Sequence, residues 1–457
     1  MVTLNETHDP GRRSWVAEAN EADCDFPIQN LPFGIFRPTP GATPRGGVAI
    51  GNQVFDLSEA LSAGLFSGAA ASAARAAAGE TLNSLLAMEP GVVSELRARL
   101  SDLLRIGGTD ADTVRKLSPR LLVPMSAATM ELPAAIGGFT DFSCSYTHMG
   151  GMRGGQPVTA FYYLPIAYNG RASSIRVSGT PVQRPYGQWA ITPPEEGLSF
   201  GPEPRMDFEL EFAAFVGRGN NLGTPLGVDA ASEHIFGCCL LNDWSARGIQ
   251  FFESILGPFL GKSFLTTISP WIVTSEALAP FRVPLPDRQP EVPRTPKHLD
   301  SSMNRQQGGL DIELTAYLHT ARMRSENLPP ARIVRTNFKH MYWTLAQMLA
   351  HHTSNGCNLH SGDLIASGTT SAPGPDAKAC LAEINQRGTR PLELPTGERR
   401  LWLEDGDSLQ IRGRALREGY VSIGFGPCDG VITPAAAVLT ALSAEPPQTA
   451  PRVPPHR

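Results

Sequence analysis

The stretch that most constrains the fold of this chain is Met206-Asp207-Phe208-Glu209-Leu210-Glu211-Phe212-Ala213-Ala214-Phe215-Val216. Side chains alternate faces along extended backbone, so one strand here would put Asp207, Glu209 and Glu211 on one side. Phe208, Leu210 and Phe212 would then take the other. The apolar side predicts a strand packed on a core. The acidic side has two readings. Taken alone, the alternation favours a half-exposed strand with its carboxylates in water, as antiparallel sheets commonly show. If the carboxylates are buried instead, a cation or basic groups must neutralise them. Hard divalent ions such as Ca2+ and Mg2+ take such oxygen ligands. The flanking sequence has to decide.

With 457 residues the chain has room for two or three domains and at least one sizeable core. Its 39 basic and 44 acidic residues argue against a broad nucleic-acid surface. No apolar run approaches the roughly 20 residues needed to span a bilayer, and the N-terminus lacks a secretory plan. Seven scattered cysteines, none at zinc-site spacing, point to reduced thiols in a cytoplasmic protein. The 45 Gly and 40 Pro predict a turn-rich fold rather than a helix bundle.

Along the chain, residues 1–20 read as a polar, flexible N-terminus. Residues 21–125 read as a first domain. It has short strands within 26–36 and 47–51, then helices at 69–78 and 92–104, where apolar residues recur three and four apart. A second domain spans 126–440, with short strands at 175–177, 208–216, 411–413 and 420–425. One helix is predicted over 337–352 from the stripe Phe338, Met341, Leu345, Met348 and Leu349. The proline-rich tail, 441–457, reads as disordered.

Three further segments carry groups capable of chemistry. Asn242-Asp243-Trp244-Ser245-Ala246-Arg247-Gly248-Ile249-Gln250 sets an acid, a cation and an amide after an apolar approach; Asp243 alone reads as a helix cap or turn residue. Lys262 lies in the glycine-flanked Gly257-Pro258-Phe259-Leu260-Gly261-Lys262-Ser263, either snorkelling to the surface or held near a site. Asp141 and His148 stand seven apart, and a lone histidine is more often structural than catalytic.

In combination these blocks resemble the fumarylacetoacetate hydrolase family. The resemblance also rests on Asp25-Phe26-Pro27-Ile28-Gln29-Asn30-Leu31-Pro32, Tyr168-Asn169-Gly170-Arg171-Ala172-Ser173-Ser174 and Val177-Ser178-Gly179-Thr180-Pro181. Later matches are Met341-Tyr342-Trp343-Thr344, Asn355-Gly356-Cys357-Asn358-Leu359, Gly362-Asp363-Leu364-Ile365-Ala366-Ser367-Gly368-Thr369 and Gly424-Phe425-Gly426. It covers roughly residues 14–435 in order.

The resemblance implies a mainly β, α+β chain: an SH3-like N-terminal β domain with a helical insertion, then a C-terminal mixed β-sandwich roll, in a homodimer. It implies Ca2+, with Mg2+ or Mn2+ in relatives, on Asp141, Glu209, Glu211 and Asp243, and a second cation, Mg2+, near Asp243, Lys262 and Thr266. Asp207 is outside the implied ligand set. The implied reaction is hydrolysis of a carbon–carbon bond in a β-diketo acid, giving fumarate and acetoacetate in tyrosine and phenylalanine breakdown. His148 matches the general base, Glu383 the carboxylate orienting it, and Arg247, Gln250 and Lys262 the oxyanion group. Tyr168, Gln250 and Thr369 match substrate contacts.

The chain departs from the family in one functional place. Ser143 and Ser254 stand where tyrosines contact substrate, and the loop after His148 is short and glycine-rich, with Arg153 as the candidate for the family's substrate arginine. Losing such donors costs on the order of 1–3 kcal/mol per contact. A wider, less anion-selective pocket follows. The alternatives are therefore a paralogue acting on another diketone or β-keto acid, as hydrolase, decarboxylase or cyclase, and a non-catalytic metal-binding scaffold. Retention of His148 and Glu383 argues against the scaffold.

Overall fold

Short β-branched and aromatic runs between Gly and Pro assemble into three principal sheets. The computed structural model describes residues 4–152, 154–190, 197–288 and 292–437. In the N-terminal region five antiparallel strands lie in the order Leu122–Pro124, Gln53–Asp56, Arg45–Ile50, Phe33–Arg37, Thr129–Glu131. Asp56 ends its strand and caps the helix Leu57–Ser62, accepting from the backbone N–H of Ser58 and Glu59. The predicted helices follow, as Gly68–Ala77 and Pro90–Leu104. Small side chains at Ala70, Ala73, Ala74 and Ala77 let the first pack closely on the second, which buries Val93, Leu96, Leu100 and Leu103.

The N-terminus is not loose from residue 4 onward. Thr7, His8, Ser14, Val16 and Ala19 are buried. The His8 ring lies 2.8 Å from the Glu276 carbonyl, and Ser14 Oγ donates to the Leu104 carbonyl at 2.8 Å. Polar composition predicted looseness; contacts to residues far along the chain override it.

The second region is built on two sheets. One has the strand order Ala167–Asn169, Phe139–Phe142, Leu364–Ala366, Leu210–Val216, Ile235–Asp243, Thr266–Ile268, Ile175–Val177, with Val273–Thr274 paired to the fifth. The other runs Ala331–Asn337, Ile312–His319, Ser408–Ala415, Cys428–Thr433, Val182–Gln183. Leu210–Val216 sits centrally in the first sheet, and all seven of its residues are buried. Leu210, Phe212, Ala214 and Val216 face a core shared with Leu314, Ala316 and Ile411 of the other sheet. Ala213 and Phe215 face a core shared with Phe33, Ile35 and the Pro90–Leu104 helix.

That two-sided burial corrects the half-exposed reading of the acidic strand. The single extended strand is also corrected. Met206–Asp207 pairs with Ser245–Ala246, and the long ladder begins only at Leu210. Phe208 and Glu209 lie between the two strands, so one continuous face does not carry Asp207, Glu209 and Glu211 together.

The helix predicted over 337–352 is likewise split. Asn337 ends a strand, Phe338–His340 is a single 3-10 turn, and the α-helix is Leu345–Thr353. Thr344 and Gln347 form a reciprocal capping box that starts it, so Phe338 and Met341 reach the core from outside the helix. The prediction at 420–425 shrinks to Ile423–Gly424, whereas 411–413 lies inside Ser408–Ala415. The 441–457 tail lies outside the described residues. No described helix is long and apolar enough to cross a membrane.

Candidate active site and metal centre

Asp141, Glu211 and Asp243 come from three strands of the sheet that holds Leu210–Val216. Register explains the convergence. Asp141 is level with Ala366, Ala366 with Ala213, Leu210 with Asn242, and Asp243 with Thr266. Glu209 joins them from the irregular residues preceding Leu210. One carboxylate oxygen from each of Asp141, Glu209, Glu211 and Asp243 lies within 4.8 Å of the others, and all four residues are buried.

Buried carboxylates this close repel, and they divide into two kinds. Glu209 receives Arg247 Nη1 at 2.7 Å and Lys262 Nζ. Burial alone would raise its pKa; Lys262 and Arg247 outweigh that and hold the carboxyl far below its usual range. At Asp141 and Glu211, Lys262 compensates only in part. Burial, with repulsion from their acidic neighbours, pushes both well above the ordinary carboxylate range. Asp141 Oδ1 and both Glu211 oxygens have no hydrogen-bond partner among the described residues. Unsatisfied buried oxygens, all carboxylate and clustered, fit a hard divalent cation.

Lys262 Nζ also lies 2.8 Å from Asp243 Oδ2, and it is buried, so the snorkelling reading is excluded. Gly261 permits this. A Cβ there would stand 2.6 Å from Gln250 Cβ, so only glycine lets the Leu260–Ser263 turn approach the Arg247–Glu253 helix. Asp243 ends a strand and caps no helix. Its other partners are Tyr168 OH at 2.6 Å and Thr266 Oγ1 at 2.8 Å. The proposed second-cation residues Asp243, Lys262 and Thr266 therefore meet, but they satisfy one another.

Arg247 is held by Asp207 at Nε, 2.8 Å, and by Glu209 and the Gln250 Oε1 amide oxygen, 3.0 Å, at Nη1. Its Nη2 is buried and unpaired among the described residues. That leaves one guanidinium nitrogen as a preorganised donor.

The His148–Glu383 pair stands beside this cluster. His148 lies in the helix Tyr146–Gly151, whose N-cap Ser145 accepts the His148 backbone N–H at 3.0 Å. His148 Nδ1 is 2.7 Å from Glu383 Oε2. Ser371 Oγ and Cys380 Sγ donate to the same oxygen. Burial would raise the Glu383 pKa; His148, Ser371 and Cys380 together hold it below the ordinary value. Ser145 Oγ in turn donates to the Ser371 carbonyl, closing a ring of hydrogen bonds around the pair.

Sequence reasoning left Asp207 without a role. Its carboxylate grips Arg247 and accepts the backbone N–H groups of Leu381 and Ala382, at 2.7 and 3.0 Å. It thus ties the guanidinium to the turn that carries Glu383. The strand parity was a signal for Asp207, but no motif marks Ser371 or Cys380. Thr369 is buried with its hydroxyl unpaired among the described residues. It follows Gly368, whose φ of +75° and close approach to the Phe142 carbonyl exclude a side chain. Ser143 is half-buried. Ser254 is exposed at the end of the Arg247–Glu253 helix. Arg153 lies outside the described residues.

Residues 138–432 match the family described as Fumarylacetoacetate (FAA) hydrolase C-terminal, and residues 29–133 match Fumarylacetoacetase N-terminal. The chain is 44% identical over 421 residues to "Fumarylacetoacetase" of Oryza sativa subsp. japonica, covering 90% of this chain and 95% of that protein. It is also 44% identical over 421 residues to "Fumarylacetoacetase" of Rattus norvegicus, covering 90% and 97%. Among solved structures, fumarylacetoacetate hydrolase from Exiguobacterium antarcticum aligns with 89% of this chain and 100% of its own, at 15% identity and TM-score 0.47. With both family regions matched in order along the chain, this protein belongs to the fumarylacetoacetate hydrolase family.

Proposed function

We propose that the protein hydrolyses fumarylacetoacetate to fumarate and acetoacetate in a metal-dependent reaction. The observation that carries this reading is the His148–Glu383 pair set beside four buried carboxylates with unsatisfied oxygens. The identity to proteins named fumarylacetoacetase supports the substrate.

In this reading Glu383 holds the proton on Nδ1, which leaves Nε2 as the acceptor for a proton from water. The water oxygen bonds to the fumaroyl carbonyl carbon, and the carbon–carbon bond to the acetoacetyl unit breaks. Its electron pair stays on the departing carbon, which takes up a proton. Glu383 stabilises the imidazolium while the proton resides there. Arg247 Nη2 and the Gln250 amide supply donors for the developing oxyanion, and Thr369 Oγ1 supplies one for bound substrate. Lys262 acts mainly by neutralising Glu209 and Asp243. A divalent ion on Asp141, Glu209, Glu211 and Asp243 would supply Lewis acidity toward the diketone oxygens. The all-oxygen donor set favours Ca2+, Mg2+ or Mn2+.

A second reading, a related acyl-acetoacetate as the true substrate, is favoured by Ser143 and by the exposed Ser254. The test is fumarylacetoacetate turnover, followed by absorbance loss, before and after chelation, for wild type, His148→Ala and Ser143→Tyr. The expected result is cation-dependent turnover that falls about 10²- to 10⁴-fold in His148→Ala. Turnover only in Ser143→Tyr points to the second reading. A folded, cation-loaded protein with no turnover in any variant overturns the hydrolase assignment.

A further inference from the structure

We propose that His148, Cys380 and Glu383 form a separate binding site for a thiophilic metal ion, and that Zn2+ bound there switches the enzyme off. The inhibitory half rests on the proposed role of His148 as base; the binding half does not.

Cys380 is fully buried, and its Sγ lies 3.4 Å from Glu383 Oε2, the oxygen that also meets His148 Nδ1 at 2.7 Å. One donor atom from each of the three residues lies within 4.8 Å of the others. The second carboxylate oxygen, Glu383 Oε1, is buried with no hydrogen-bond partner among the described residues. The site therefore offers a sulfur, a ring nitrogen and a carboxylate with a spare oxygen. That donor set suits Zn2+, which takes Cys, His and Glu together, whereas the four-carboxylate cluster suits a hard ion. The two centres differ in chemistry, so one cation need not displace the other.

The consequence for His148 follows from proton bookkeeping. Three hydrogens now point at Glu383: the Ser371 O–H, the Cys380 S–H and the His148 Nδ1–H. Zn2+ takes the place of the last two, forming Zn–S and Zn–N bonds, and the Ser371 O–H stays on the carboxylate. The thiol proton leaves to solvent. The Nδ1 proton also leaves, and Nε2 takes one up, so the imidazole stays neutral and one proton is released overall. Nε2 then carries a hydrogen and has no lone pair free for a proton from water. The base is blocked without any change in the carboxylate cluster.

The test uses the full chain, loaded with Ca2+, with the partly exposed thiols removed as Cys24→Ser and Cys357→Ser. Titration with Cd2+ should raise one equivalent of sulfur-to-metal charge-transfer absorption, which Cys380→Ser abolishes while Cys144→Ser keeps it. Zn2+ should inhibit turnover, a zinc-selective chelator should restore it, and Cys380→Ser should raise the half-inhibiting Zn2+ concentration at least about tenfold. A thermal melt of each variant confirms folding, and Cys380→Ala provides a second thiol-free variant. Absence of the charge-transfer band, or a band that survives in both folded Cys380 variants, overturns the site. Inhibition equal in wild type and Cys380→Ser places Zn2+ on the carboxylates and also overturns it. A Cd2+ band in a protein that never turns over substrate leaves the site standing and sinks the hydrolase reading instead.

Discussion

Asp207 and Glu209, two positions apart, grip the same guanidinium from different sides, and all three groups are buried. A buried ion pair adds little net stability over an apolar replacement, but removing one partner leaves a charge stranded. Asp207→Asn keeps the shape and still accepts one backbone N–H, yet it strips a formal charge from the neighbourhood of Arg247. We expect a loss of about 3 kcal/mol, read from the denaturant midpoint, and a lower kcat because Arg247 and the Glu383 turn lose their common tether. A midpoint unchanged from wild type would refute that coupling. His148→Ala belongs at this scale too, since its expected loss of turnover concerns one imidazole and leaves the carboxylate cluster in place.

At the scale of elements, the Leu210–Val216 strand holds the two sheets of the second region in contact through Phe212. Its ring meets Phe425 edge-on at 5.1 Å between centroids and Phe338 at 4.8 Å. Phe212→Ala should cost about 3–5 kcal/mol, because neighbours on both sheets cannot collapse into the space left. A second element, the helix Leu57–Ser62, depends on its cap Asp56. Burial raises the Asp56 pKa above 3.8, and the Glu59 N–H and Arg45 offset this only in part. A carboxyl raised in the fold contributes stability that is full below its unfolded pKa and fades as pH rises through the folded value. Asn caps a helix as well as Asp does but does not titrate. The stability of wild type relative to Asp56→Asn should therefore decline with rising pH, starting from about pH 4. Denaturation midpoints across that range check the sign; a wild type that gains on the variant with rising pH would contradict it.

Across the whole molecule, charge balance in the interior links stability to metal. The buried carboxylates Asp141, Asp207, Glu209, Glu211 and Asp243 outnumber Arg247 and Lys262, the cations paired with them. An ion that binds only the folded chain stabilises it by mass action, about 2.7 kcal/mol at a hundredfold excess over Kd. Ca2+ or Mg2+ should accordingly raise the melting temperature of the chelated protein, and Glu211→Gln should remove most of the rise. A melting temperature indifferent to divalent ions in wild type would remove the metal centre from the reading above.

What the sequence by itself determined was the local grammar: the strand at 175–177 and the two N-terminal helices within two residues. Short-range chemistry suffices for these, because period and capping are written in neighbouring residues, whereas the four acids, His148 and Glu383 were marked only by the family resemblance. The tertiary structure alone decided which side of the acidic stretch is dry. A second sheet and the N-terminal region cover both faces of Leu210–Val216, so the water-facing reading failed for want of any local mark of those partners. It also broke the stretch after Asp207, giving that residue to Arg247 and the Glu383 turn rather than to the cluster. Ser371 and Cys380 reached Glu383 through loop geometry, and Lys262 became a buried counter-ion through one glycine's closeness to Gln250. Each of these is a contact between residues distant along the chain or set by a loop's path, and burial and pairing energies arise only when such residues meet.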